Sequence, residues 1–90
     1  MNKNLTIECN YEIWVMDKEE LNENPIIWLL NLLILFTNNN IQYKIIKNKY
    51  HNPYNIILKG KYLNIEKIFI DINYIDKFKF EEIINYKIIK

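Results

Sequence analysis

NPIIWLLNLLILFTN, residues 24 to 38, commits to one structure more firmly than any other part of this chain. Asn24 is placed to accept from a free backbone N–H of a first turn, and Pro25 stands at the first helical position, where its missing N–H costs nothing. At the far end Asn38, Asn39 and Asn40 supply the residue type that, after glycine, best tolerates the left-handed conformation that closes a helix. A helix over residues 25–37 follows. On a 3.6-residue wheel Ile26, Leu29, Leu30, Leu33 and Thr37 fall on one side and Ile27, Trp28, Asn31 and Leu35 on the other, so both sides are largely apolar. The run from Pro25 to Phe36 is about half of the roughly 20 residues needed to cross a bilayer, and Asn31 interrupts it, so no membrane partner is expected. The helix is then either covered on two sides or keeps its second side, Ile27, Trp28 and Leu35, for a partner or a second copy of the chain.

Ninety residues hold one small core, and the expectation is a single domain over 1–90. The chain lacks Ala, Ser and Arg, and Ile, Asn, Lys, Tyr and Phe supply 57 of its 90 residues, a list that follows the codons of a very AT-rich genome. Ile and Lys therefore stand where other genomes place Leu, Val or Arg, and propensity carries less weight than pattern. Without serine no triad of the serine type exists, and one glycine, Gly60, cannot form a phosphate-cradling loop. One Cys and one His make neither an internal disulfide nor a zinc site with neighbours of their own kind. No cofactor, no metal and no catalytic residue is expected. The first residues, MNKNLTIECNYEIW, lack the continuous apolar stretch of a signal peptide, and a reducing, cytoplasmic setting is the expectation.

Around the helix the period changes to two. Leu5, Ile7, Cys9, Tyr11, Ile13 and Val15 alternate with Thr6, Glu8, Asn10 and Glu12, the pattern of a strand with one face buried, which turns Cys9 inward. Ile41, Tyr43 and Ile45 alternate with Gln42 and Lys44, and Tyr54, Ile56 and Leu58 repeat the pattern after a turn at NKYHNP, residues 48–53. Past Gly60 the reading forks. Ile68, Ile70, Ile72 and Tyr74 alternate as a strand, whereas Ile65, Ile68, Phe69 and Ile72 fit a helical stripe. Five of the nine leucines lie in the first helix, so leucine marks helices in this gene and the strand is preferred for residues 66–75. The last segment reads either as a short helix around Phe80 to Ile84 followed by a strand from Tyr86 to Ile89, or as strand throughout. The expected fold is α+β: a mainly antiparallel sheet of four to five strands with one long helix on one face. The alternative, with a helix over residues 64–76, is the ferredoxin-like order βαββαβ.

The near-zero net charge conceals a division. Residues 1–37 hold two lysines against six acids, and residues 38–90 hold ten against five. Between Asn38 and Ile65 there is no acid, and Lys44, Lys47, Lys49, Lys59 and Lys61 are interleaved with Tyr43, Tyr50, His51, Tyr54 and Tyr62. A nucleic-acid-binding hairpin over residues 41–62 would use these lysines on phosphates and the tyrosines for stacking, with Tyr50 and His51 at its loop. The absence of arginine argues against it, and an edge strand guarded by lysine explains the same residues. The favoured expectation is a small protein-binding inhibitor or adaptor without enzymatic activity. Such a protein is of the anti-CRISPR, antitoxin or immunity-protein kind carried by a phage or other mobile element, and it occupies the surface of a protein partner or of a nucleic-acid-handling complex. Its candidate contact residues are Trp14, Trp28, Glu19, Glu20 and Glu23. A homodimer joined through helix faces is a third class.

Overall fold

The computed structural model of the chain describes residues 2–13, 25–46, 54–72, 75–76 and 79–90; the side chains of residues 13, 25–28 and 54 are outside the described set. Within it the order of elements is β1 (Thr6–Ile13), α1 (Pro25–Asn38), β2 (Gln42–Ile46), β3 (Tyr54–Lys61), α2 (Tyr62–Asp71), α3 (Phe80–Ile83) and β4 (Tyr86–Ile88). The four strands form one sheet in the order β2-β3-β1-β4, antiparallel at every junction. β1 and β3 form the central pair, in register from Thr6 opposite Lys61 to Ile13 opposite Tyr54.

This connectivity is the ferredoxin-like one, and it corrects the preferred reading of residues 66–75. Because β3 and β4 both run antiparallel to β1, they are parallel to each other with β1 between them. Parallel strands cannot be joined by a tight turn and need a crossover, usually helical. Tyr62 to Asp71 supplies it, and its buried set of Tyr62, Ile65, Glu66, Ile68 and Phe69 follows the helical stripe rather than the alternation. The same logic applies to β1 and β2, which are parallel on either side of β3 and joined through α1.

The inward residues of the sheet, Ile7, Cys9, Tyr11, Ile56 and Leu58, share one core cluster with Leu32 and Phe36 of α1, Ile65, Ile68 and Phe69 of α2, and Phe80 of α3. Aromatic rings run through it, Tyr11 to Phe69 at 4.8 Å, Phe80 to Tyr62 at 4.9 Å and Tyr62 to Tyr86 at 5.4 Å between centroids in edge contact, and Phe69 to Phe80 tilted at 5.8 Å. Each such pair adds about 0.5–1.5 kcal/mol to what area burial provides. The chain of rings therefore ties α2 and α3 to β1 and β4.

Among its described side chains, α1 is buried along one stripe. Leu32 and Phe36 are covered and Leu29, Leu33 and Leu35 half-covered, whereas Leu30 faces solvent instead of sharing the inner side with Leu29 and Leu33. Its C-terminus is closed by the asparagines as expected, each in a different way. Asn40 takes φ 58°, Ile41 N–H donates to the Phe36 carbonyl at 3.0 Å and Asn40 N–H to that of Thr37 at 3.2 Å, and the Asn39 side chain donates to the Leu35 carbonyl at 2.8 Å. These bonds are those of a Schellman motif, with Phe36 and Ile41 making its apolar contact in the core. Gly60 lies against this corner, since a Cβ there would stand 3.2 Å from Ile41 Cγ1 and 3.4 Å from the Asn40 carbonyl oxygen.

α2 begins without a side-chain cap on Lys61. Instead the carbonyls of Leu5 and Lys3 accept from Tyr62 N–H and Leu63 N–H, both at 2.9 Å. The chain's first turn thus takes two of the four free donors that any helix start presents.

Because Asn40 carries the left-handed corner, Asn40→Gly is expected to stabilise the fold by about 0.5 kcal/mol and Asn40→Ala to destabilise it by about 1 kcal/mol. Urea midpoints at unchanged m-value measure both; coincident midpoints for the two variants would contradict this role.

Candidate functional site

Strand alternation separates two faces of the sheet. Cross-strand partners share a face, so Tyr43 and Ile45 of β2 lie on the helix side with Leu58 and Ile56. The opposite face carries Gln42, Lys44 and Ile46 from β2, Asn55, Ile57, Lys59 and Lys61 from β3, Thr6, Glu8, Asn10 and Glu12 from β1, and Lys87 from β4. Lys44, Lys59 and Lys61 are thereby brought together on the β2 and β3 half of this open face, and Glu8 and Glu12 stand on the β1 half. The Lys87 ammonium lies 3.3 Å from Glu8 Oε1. Lys44, Lys59 and Lys61 make no ion pair with any described carboxylate.

The described tyrosines do not join them. Tyr62 is buried in the aromatic chain, Tyr43 faces the helix side, and Tyr11 and Tyr86 are cross-strand partners of inward positions. Among the described residues, the basic face therefore has no aromatic ring on which a base could stack.

The helix side exposes apolar surface where the sequence did not single it out. Leu30 is 53% exposed and Ile34 56%, one turn apart on the outer stripe of α1. On the edge strand β2 all five residues are exposed, including Tyr43, Ile45 and Ile46. The wheel sorted Leu30 with the inner side because both sides of the helix are apolar, so amphipathicity could not orient it.

The remaining polar features are buried and structural. Glu66, only 7% exposed, is held by the Lys3 ammonium at 2.9 Å, and Lys3 also stands 6.0 Å from the centroid of the Tyr62 ring. Burial pushes the Cys9 thiol up to about 12, with Glu8 adding to it, so the thiolate that would act as a nucleophile is absent at neutral pH. Burial likewise raises the Tyr62 phenol, assisted by Glu66, Glu81 and Tyr86 and by its hydrogen bond to the Glu81 carboxylate. Tyr86 is raised by burial and by Glu81. Among the described residues no group of three or more His, Cys, Asp or Glu is placed to hold a metal ion, and no helix is long and apolar enough to cross a membrane.

Of the contact residues expected from sequence, Trp14, Glu19, Glu20 and Glu23 lie outside the described residues, and so does the side chain of Trp28. Lys47, Lys49, Tyr50 and His51 lie outside them as well. Glu66 and Lys3 were not singled out. Once residues 62–71 are taken as a helix, Glu66 falls in the buried stripe between Ile65 and Phe69, and the need for a cation follows.

Cys9, Tyr62 and Tyr86 all hold their protons more tightly folded than unfolded. Their contribution is therefore intact below their ordinary values and is lost as pH rises from about 9 towards about 12. Equilibrium urea titrations across that window are expected to show falling stability, with a shallower fall in Cys9→Ala and in Tyr62→Phe; equal slopes in all three proteins would contradict the assignment. Compared with known proteins, the chain matches no family model, no curated protein and no solved structure.

Proposed function

We propose that this chain is a non-catalytic protein-binding module, an inhibitor or adaptor that acts by occupying a partner's surface, with the outer stripe of α1 as its contact. The observation that carries the reading is the pair Leu30 and Ile34, both more than half exposed and one turn apart on a helix whose Leu32 and Phe36 are buried in the core. Large aliphatic side chains at i and i+4 on one helix are the anchors by which a helix seats itself in an apolar groove. The exposed apolar residues of the neighbouring edge strand, Tyr43 and Ile45, lie on the same side of the sheet and extend the surface available.

The class we favour is that of the small blocking proteins of phages and other mobile elements, working in the cytoplasm. The amino-acid composition, which follows the codons of an AT-rich genome, and the single buried thiol of Cys9 support it.

Leu30→Lys together with Ile34→Lys tests the reading. Both positions are exposed, so the variant should keep its stability to within about 1 kcal/mol. Wild-type and variant baits are compared in nuclease-treated lysate of a bacterial host, alongside light scattering of each. A protein retained in stoichiometric amount by the wild type and lost by the variant is the expected result. A wild-type dimer that the variant converts to a monomer would replace the foreign partner with a second copy. Identical retention by both baits would overturn the assignment of the contact to α1.

A further inference from the structure

A separate feature involves the open face of the sheet. Thr6, Asn40, Gln42, Lys59, Lys61 and Asn64 line a concavity of about 310 Å³, with Gly60 between the two lysines. That volume is at the lower end of the roughly 300–1,000 Å³ typical of small-ligand sites. Four elements contribute to it, and the register explains how. Lys59 and Lys61 are two apart on β3 and so point the same way, roughly 7 Å from each other along the strand. The ladders set Gln42 of β2 beside Lys59 and Thr6 of β1 beside Lys61. Asn40 arrives from the left-handed corner after α1, and Asn64 from the first turn of α2.

The chemistry of this lining is one-sided. It consists of two ammoniums, three carboxamides and a hydroxyl, all able to donate, and includes no carboxylate and no large apolar side chain. Glu8, which stands across the ladder from Lys59, is in ion-pair contact with Lys87, and no described carboxylate pairs with Lys59 or Lys61. Two ammoniums on adjacent same-face positions repel each other, and an anion seated between them removes that repulsion while accepting from both. The flanking carboxamides and hydroxyl add neutral donors on either side, suited to a ligand whose several oxygens point in different directions. A tetrahedral oxyanion meets that description better than a planar carboxylate, which offers two oxygens in one plane.

We propose that the concavity between Lys59 and Lys61 binds a phosphate group, carried by a free phosphomonoester or by the backbone of a single strand of nucleic acid. The site is built from side chains on strands and at helix ends, and owes nothing to a glycine-rich loop. Its strand residues Thr6, Gln42, Lys59 and Lys61 are on the open face of the sheet and its lining includes neither Leu30 nor Ile34, so it stands or falls independently of the partner-binding stripe.

The test is an NMR titration of the ¹⁵N-labelled full chain with orthophosphate, adenosine 5′-monophosphate and an oligothymidylate, at constant ionic strength held with chloride. Saturable shifts confined to the amides of Lys59 to Lys61, Asn64 and Asn40 are expected. Lys59→Gln with Lys61→Gln should weaken binding roughly tenfold to a hundredfold. Lys67→Gln with Lys79→Gln, which removes the same charge at exposed positions outside the lining of the concavity, should leave binding unchanged. If the first double variant loses its fold, Lys61→Gln alone is read in the same way. Saturation by the monoester without tighter binding of the oligonucleotide assigns the free phosphate. Tighter, steeply salt-dependent binding of the oligonucleotide assigns the strand backbone. Shifts that never saturate, or equal losses in the two double variants, would overturn the site.

Discussion

The antiparallel ladder between β1 and β3 is the constraint on which the rest of the structure depends. With β2 on one flank and β4 on the other, each sequential strand pair that must be parallel, β1 with β2 and β3 with β4, is separated by a strand of the central pair. Both connections then have to cross the sheet, and both are helical. The inward residues of the ladder, Ile7, Cys9, Tyr11, Ile56 and Leu58, form one cluster with the buried stripes of both helices, so the crossovers share a single side. The opposite side is left to the polar alternation, which is why the lysines of β3 share a face with the acids of β1. One register thus fixes the core, the charged face and the place of each helix.

The two ends of the ladder are finished by different means. At the β2 side, a left-handed asparagine turns the chain from α1 into the sheet, and Gly60 provides the clearance for that turn. At the start of α2, backbone carbonyls from the chain's first turn replace the side-chain cap that Lys61 cannot supply. Glu66 one turn further on is buried against Lys3, so the same N-terminal residues that cap the helix also neutralise its one buried acid. A buried carboxylate left without its cation is strongly unfavourable, and this ties residues 2–5 to α2 by electrostatics as well as by hydrogen bonds.

Both proposals made for this chain rest on surfaces of the sheet and its helices. The apolar stripe of α1 and the strand residues of the polar concavity beside β3 lie on opposite sides of the sheet and differ in chemistry. The outer strand β2 borders both, with Tyr43 and Ile45 on the helix side and Gln42 on the other. Lysine at its centre, Lys44, also guards the exposed edge against pairing with other chains. Strand alternation hands successive residues of β2 to opposite faces.

Much was legible in the chain itself. The first helix with its proline start and asparagine close, the three strands around Cys9, Tyr43 and Ile56, the final strand, and the inward thiol all follow from local pattern, since period and capping are properties of neighbouring residues; whether a short helix precedes the final strand was left open by the pattern and is decided in the structure. Residues 66–75 could not be assigned this way. Isoleucine satisfies both periods there, and the AT-rich composition has removed the leucines that would have separated helix from strand. The choice was made by β4, whose pairing with β1 rather than β3 requires a crossover. The outward face of α1, the burial of Glu66 against Lys3 and the gathering of Thr6, Asn40, Lys61 and Asn64 round one concavity were likewise decided only in the tertiary structure. Each depends on residues far apart in the chain meeting across the β1–β3 ladder, a relation that no local period encodes.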